Sequence, residues 1–218
     1  MTDLIAKHGG YKNLKSFQMT VVIYDLTVEF YKLYITSFKM KDQLEGAARS
    51  GSQNIGEGSD NSGTSKQTEI RLVNVAKGSL KELKLDYEAF LRQHNFVIWS
   101  KDDPRSLEIR GLVYKTNESN KTHMTYKSNT TYLSYLSEPE SAGNCLLCLI
   151  NQACFLLDRQ LVALEKEFKL HGDFKERVNE IKKEKIFGYD RNDEYDQLLK
   201  LNKMRRLQDG RVVPIEKE

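Results

Sequence analysis

The run QLEGAARSGSQNIGEGS, Gln43 to Ser59, constrains the fold more than any other stretch of this chain. Gly46, Ala47, Ala48, Ser50, Gly51 and Ser52 put small side chains at six of seven successive positions, interrupted only by Arg49. Small side chains let two helices approach closely. The run closes on Asn54, Ile55, Glu57 and Gly58, so polar groups and a natural stop sit together at one end. A segment with heptad spacing follows at once. Val73, Ala76, Leu80, Leu83, Tyr87 and Phe90 alternate three and four residues apart, which makes one apolar stripe along a long helix.

The same reading extends along the chain. A first helix is predicted from Tyr11 to about Ile35, with Leu14, Phe17, Val21, Tyr24, Val28, Tyr31 and Ile35 as its seam. Val22, Leu26, Phe30 and Leu33 widen that face, which suits a helix with two neighbours. The second helix is predicted from Lys39 to Glu57, with Gly58 as its C-terminal stop. Ser59 to Gly63 then reads as a turn, and Thr64 with Gln67 as a capping box for a third helix that ends near His94. Asp103-Pro104 starts a short helix to about Tyr114. Lys115 to Leu136 reads as a long polar loop, with room for a hairpin or flap over Tyr126 to Leu136. A fourth long helix is predicted to begin with a Ser137–Glu140 capping box. Its stripe is Leu146, Ile150, Ala153, Leu157, Leu161, Leu164 and Phe168, and His171-Gly172 ends it. Asp173 to Glu218 is highly charged and is predicted to hold one or two amphipathic helices, frayed from Asp209 onward.

These elements predict an all-α protein. Its first domain, 1–172, is an up-down-up-down four-helix bundle with a loop and short-helix insertion at 96–140. A charged helical extension, 173–218, follows. The 218 residues suffice for one sizeable core with an appendage. A net charge of +3, from 34 basic and 31 acidic residues, describes a mixed surface rather than a polycation. Nucleic-acid binding would therefore need a local patch. The N-terminal MTDLIAKHGGYKN lacks the apolar core of a signal peptide, and no run of about 18 uninterrupted apolar residues suggests a membrane span. The odd set Cys145, Cys148 and Cys154 reads as reduced thiols of a cytoplasmic protein.

Motifs for catalysis are weak. Cys145 and Cys148 form a C-x-x-C, but no second Cys or His pair follows at ligand spacing, so packed thiols are the simpler reading. His8, His94, His123 and His171 lie apart, with none paired to a nucleophile. No phosphate-binding glycine loop and no calcium loop is present. Asn54 and Glu57 read as a structural polar pair at the turn between helices two and three, reaching toward Thr68 or Glu69. The remaining candidate is basic. Lys77, Lys81 and Lys84 fall on one side of the third helix, roughly opposite its seam, with Glu82, Asp86 and Glu88 nearby. Lys203, Arg205 and Arg206 form a smaller cluster.

Gln43, Ala47, Ala48, Ser50, Asn54, Ile55, Glu57 and Gly58 resemble, in the same register, the pattern Q-x-R-R-A-A-x-S-x-x-x-N-I-x-E-G of the bacterial four-helix bundle family that includes the 23S rRNA intervening-sequence proteins. The resemblance runs from about Tyr11 to Leu91 and, by pattern, over Ala142 to Phe168. The insertion and the extension resemble a longer branch with a four-helix-bundle suffix domain. The same fold includes the accessory variability determinant of retroelements. That relative implies a barrel-like homopentamer with a basic surface that engages RNA or DNA and a reverse transcriptase. One departure stands out. Glu45 and Gly46 occupy the places of the family's paired arginines, and Arg49 restores only part of that charge. The resulting expectation is a non-enzymatic homo-oligomer without cofactor or metal. Lys77, Lys81, Lys84 and Arg49 are the candidate nucleic-acid contacts, and Gln43, Asn54, Glu57 and Gly58 the structural motif. The alternative is a protein-binding scaffold that binds no nucleic acid.

Overall fold

The computed structural model describes residues 9–119 and 131–174, together with 176, 178, 179, 199, 204–206 and 211–214. The chain divides into two compact units, Met1–Asp173 and Phe174–Glu218. The first unit is all-α. A 3-10 turn, Tyr11–Asn13, leads into α1 (Lys15–Tyr34), α2 (Phe38–Asn61), α3 (Lys66–Gln93), α4 (Pro104–Ser119) and, after a 3-10 turn at Ser134–Ser137, α5 (Pro139–His171). Four of these pack as neighbours: α1 on α2, α2 on α3, α3 on α5, and α5 on α1. The short α4 packs on α5.

Glycines set the closest of these contacts. A Cβ on Gly51 of α2 would lie 3.0 Å from Leu80 Cδ2 of α3. One on Gly58 would lie 3.3 Å from Leu72 Cβ and 3.4 Å from the Glu69 carbonyl oxygen. Gly58 therefore does not stop α2. It sits inside the helix, against Leu72 and the backbone of Glu69 on α3, and α2 runs on to Asn61. On the other flank of α3, a Cβ on Gly143 of α5 would collide with Leu91 Cδ2 at 2.8 Å. Leu91 lies near the end of α3 and Gly143 near the start of α5, while Lys66 at the start of α3 reaches Glu167 near the end of α5 at 3.4 Å. These two helices thus run antiparallel.

The α3 stripe is buried as its spacing predicts, from Val73 through Phe90. On α1 the predicted face is present but its centre is shifted: Val22, Leu26 and Phe30, expected to widen the seam, are buried, and the seam itself lies at the edge. Ser16, Met19, Thr20, Val22, Ile23, Leu26, Thr27 and Phe30 face the core, while Leu14, Phe17, Val21, Tyr24, Val28, Tyr31 and Ile35 are half-buried on a flank. Both rows keep helical spacing. The inner row carries Met19, Val22, Ile23, Leu26 and Phe30, and its hydroxyls find partners. Thr20 donates to the Phe17 carbonyl at 2.7 Å, Ser16 to Gln160 Oε1 of α5 at 2.7 Å, and Thr27 accepts from the buried Tyr87 hydroxyl at 2.9 Å. A buried hydroxyl with a partner avoids the desolvation cost that would otherwise exclude it. Phe30 closes one end of the core, edge-on to Tyr87 and to Phe90 at 4.9 Å each.

Helix starts also differ in detail from the predicted boxes. Ser65, not Thr64, caps α3 by accepting from Thr68 N–H. Asp173 completes that cap, accepting from Lys66 N–H at 2.9 Å and from the Ser65 hydroxyl at 3.1 Å. The Ser137–Glu140 box does not form. Ser137 donates to the Ser134 carbonyl, and Glu140 turns to the segment after α3. There it accepts from Trp99 Nε1 at 3.1 Å, while buried Asn144 accepts from Trp99 N–H and donates to the Val97 carbonyl, both at 2.8 Å. Arg105 stacks over the Trp99 ring, 4.0 Å from its centre. The chain is thereby clamped to α5 before α4 begins. Within the predicted hairpin segment, residues 126–130 lie outside those described, and 134–137 form a 3-10 turn instead.

By length and hydropathy alone, Pro139–Leu170 would suffice to cross a membrane. Much of its apolar surface is spent on the core, through Leu146, Leu149, Ile150, Ala153 and Leu157. In the second unit, Met204–Arg206 and Val212–Pro214 pair antiparallel, Met204 opposite Pro214 and Arg206 opposite Val212. Val212–Pro214 are therefore ordered within the tail predicted to fray from Asp209, of which 209, 210 and 215–218 lie outside the described residues. The β-branched pair Val212-Val213 suits a strand. The helical stripe predicted through Ile181 and Ile186 lies outside the described residues.

Candidate interaction surface

The motif residues on α2 separate into different roles. Gln43 Nε2 donates across to Asp86 of α3 at 3.3 Å, so it ties the two helices at their outer edge. Asn54 folds back on its own helix, donating to the Ser50 carbonyl at 2.8 Å. Glu57 is exposed. The predicted interhelical network with Thr68 or Glu69 therefore does not form. Gly51 and Gly58 bring the backbones together instead, and Glu69, itself buried, pairs with Lys66 at 2.8 Å.

Glu45, which stands where the family pattern has arginine, has a partner of its own. Its carboxylate accepts from the Tyr31 hydroxyl at 2.8 Å and the Tyr24 hydroxyl at 3.4 Å, both on α1. The carboxylate beside it and burial push the Tyr31 hydroxyl up to about 12. Burial first, then Glu45, raises Tyr24. An arginine at 45 would offer these hydroxyls only donors. Gly46 beside it has open space around it.

The basic candidates do not converge. Lys77 is bonded to Asp158 of α5, and Lys84 pairs with Glu88 at 3.6 Å. Lys77, Lys81 and Lys84 all act electrostatically on Cys154 of α5. The row thus lies along the α3–α5 flank rather than opposite the α3 seam. Arg49 is exposed on α2 and acts on Tyr24 of α1. Its guanidinium meets the Gln53 amide oxygen at 3.0 and 3.1 Å in the amide orientation that satisfies both groups. One flank carries the lysines, and the α1–α2 side carries the arginine.

The three cysteines are free thiols. Burial raises all three above the usual thiol range. For Cys154 the lysine row pulls the other way, and for Cys148 Ser106 and Arg110 do. Raised thiol pKa values make poor nucleophiles at neutral pH. Among the described residues, no group of three or more His, Cys, Asp or Glu side chains is placed to hold a metal ion. His94 is used structurally. Its ring stacks on Phe96 and its Nδ1 meets the Phe90 carbonyl at 2.8 Å. A shallow cleft of about 490 Å³ lies between α1 and α2, lined by Tyr11, Phe17, Ser52, Gln53, Gly56, Glu57 and Asp60.

Small residues, the asparagine-to-glycine ending and the closely packed α2–α3 pair coincide in one stretch. Residues 13–97 match the family model of the 23S rRNA-intervening sequence protein. The matched span takes in α1, α2 and α3, the helices on which the Gln43–Gly58 pattern and the α3 stripe lie. It stops at Val97, just before the Trp99 clamp. Helices α4 and α5 and the second unit lie outside it. No curated protein and no solved structure gives a significant match.

Spacing did not reveal two of the features that organise this surface. The Trp99–Glu140–Asn144 clamp joins residues more than forty positions apart, and no local pattern announces it. The Glu45–tyrosine contact likewise joins two helices, and the departure of Glu45 from the family pattern signals only a change of charge there.

Proposed function

We propose that this is a non-catalytic helical assembly protein that self-associates and, as an oligomer, engages nucleic acid or a nucleic-acid-processing partner in the cytoplasm. The observation that carries the first part is the apolar width of α1. Its inner stripe satisfies the core and Phe17 packs against it, yet Val21 and Val28 stay only half-buried on the flank and Leu33 is 60% exposed. On α5, Phe155, Val162 and Leu170 are 60%, 67% and 68% exposed. Exposed apolar side chains on two neighbouring helices are surface that association would cover. The family resemblance makes a pentamer the leading stoichiometry.

Light scattering on the full chain tests it. A species several times the 25.3 kDa monomer mass is expected, with Val28→Glu returning it toward monomer. A monomer at all concentrations overturns self-association. Nucleic-acid engagement has its own readout. Capture of cellular RNA or DNA should vanish on nuclease treatment and fall steeply between about 50 and 200 mM salt, because phosphate contacts release counterions.

The second reading is a protein-binding scaffold without nucleic acid. Pairing of Lys77 with Asp158 and of Lys84 with Glu88 favours it, since half-neutralised lysines form a weak phosphate track. Capture of protein that survives nuclease and salt would select it.

A further inference from the structure

The outer face of α5 is unevenly covered. Cys148, Gln152, Phe155, Arg159 and Val162 follow one another four and three residues apart, so they form a single stripe down the helix. The helix α4 is about 24 Å long against about 50 Å for α5, so it can lie over only part of that stripe. It covers the N-terminal part. Ser106 and Arg110 lie against Cys148, and Gln152 Nε2 donates to the Arg110 carbonyl at 3.3 Å. Further along, Phe155 and Val162 are exposed.

The contact under α4 is poorly satisfied. Ser106 is 2% exposed, yet its hydroxyl faces only the Cys148 thiol, a weak partner, and finds no oxygen or nitrogen. Gln152 Oε1 is buried there without a partner as well. Both atoms would regain water if α4 lifted, which lowers the cost of opening. Among its described side chains, Ile109 is fully buried and Leu112 packs against the core, while Leu107 on the other side of α4 is 52% exposed.

The segments around α4 have anchors on the long helices besides their contacts with α4, which are Arg105 on Trp99 and Glu140 upstream and Glu108 on Tyr135 downstream. Upstream, Trp99 is fixed to Asn144 and Glu140 of α5. Downstream, Tyr132 is buried and the Tyr34 hydroxyl bonds the Leu136 carbonyl. Tyr135 reaches Glu108 from that side.

We propose that α4 is a hinged cover that opens about the Lys101–Pro104 corner while the four long helices stay packed, baring Cys148 and Gln152 and extending the exposed α5 stripe toward its N-terminus. Opening is a local transition, with a free energy below that of global unfolding.

Thiol labelling tests this on the full chain carrying Cys154→Ser. N-ethylmaleimide is added under native conditions and each cysteine is read by mass spectrometry. Cys148 is expected to react at least about tenfold faster than Cys145, which is buried between the long helices and waits for global unfolding. The Cys148 rate should rise with denaturant, but with a shallower slope than global unfolding, because opening exposes less surface. Ile109→Ala should speed Cys148 by about tenfold or more and leave Cys145 unchanged. If that variant does not fold, the two denaturant slopes of the Cys154→Ser protein still decide. The cover is refuted if Cys148 and Cys145 react together with the same slope. It is equally refuted if Ile109→Ala accelerates both alike, or if Cys148 reacts fast with no dependence on denaturant.

Discussion

Where α2 meets α3, Gly51 yields its place to Leu80 and Gly58 lies against Leu72 and the Glu69 backbone. Where α4 meets α5, Ser106 Oγ and Gln152 Oε1 are buried without adequate partners. The first contact is close, apolar and closed at its edge by Gln43 on Asp86. Among the described residues, the second rests on Ile109, Leu112 and a few polar groups. Close approach gains dispersion contacts along the helix pair and leaves little room for added atoms. A contact with unpaired polar atoms gains less and can be remade by water. The bundle and its short cover thus differ in what a single substitution can do to them.

Leu80→Ala should break the tighter contact most. It removes a fully buried side chain that fills the space opposite Gly51, and a loss of about 2–5 kcal/mol in denaturant unfolding is expected. Gly58→Ala should cost about 1–3 kcal/mol, because Leu72 Cβ and the Glu69 carbonyl belong to a helix that cannot move aside locally. At the looser contact the sign reverses. Ser106→Ala removes a buried hydroxyl without an oxygen or nitrogen partner and should raise stability by about 1 kcal/mol, read as a higher melting temperature. Gly46→Ala sharpens the comparison within α2 itself. The position is open and helical, so it should stabilise by about 0.5–1 kcal/mol, opposite in sign to Gly58→Ala on the same helix.

A pH effect is expected at the α3 start. Burial raises Glu69 above its ordinary value of 4.5, partly opposed by Lys66. The folded state therefore holds this proton more tightly than the unfolded state. The associated stability is present below 4.5 and is lost as pH rises through the folded-state value. Glu69→Gln should flatten the stability profile over that interval, measured by denaturant titrations at successive pH values.

Legibility in the sequence varied from helix to helix. In α3 one apolar stripe competes with charged residues elsewhere, so Val73 to Phe90 point to a single face. In α1 two rows satisfy the same spacing. The one rich in aromatics looked stronger, but Ser16, Thr20 and Thr27 could enter the core because each hydroxyl has a partner there. Those partners, Gln160 and Tyr87 among them, are distant in sequence. Gly58 carried the opposite ambiguity. A glycine at a plausible helix end can mark a terminus or a close approach, and only the position of α3 distinguishes them. The basic row was found, but its placement beside Asp158 was not, since that acid lies on another helix.

Trp99 gives the clamp described above a practical use. It is the chain's single indole, and it sits under Arg105 at the corner from which α4 departs, away from the centre of the bundle. Intrinsic fluorescence therefore reports on that corner, whereas helical circular dichroism is dominated by the long rods. Recorded side by side during heating, the two signals form a built-in clock for the order in which the corner and the body come apart.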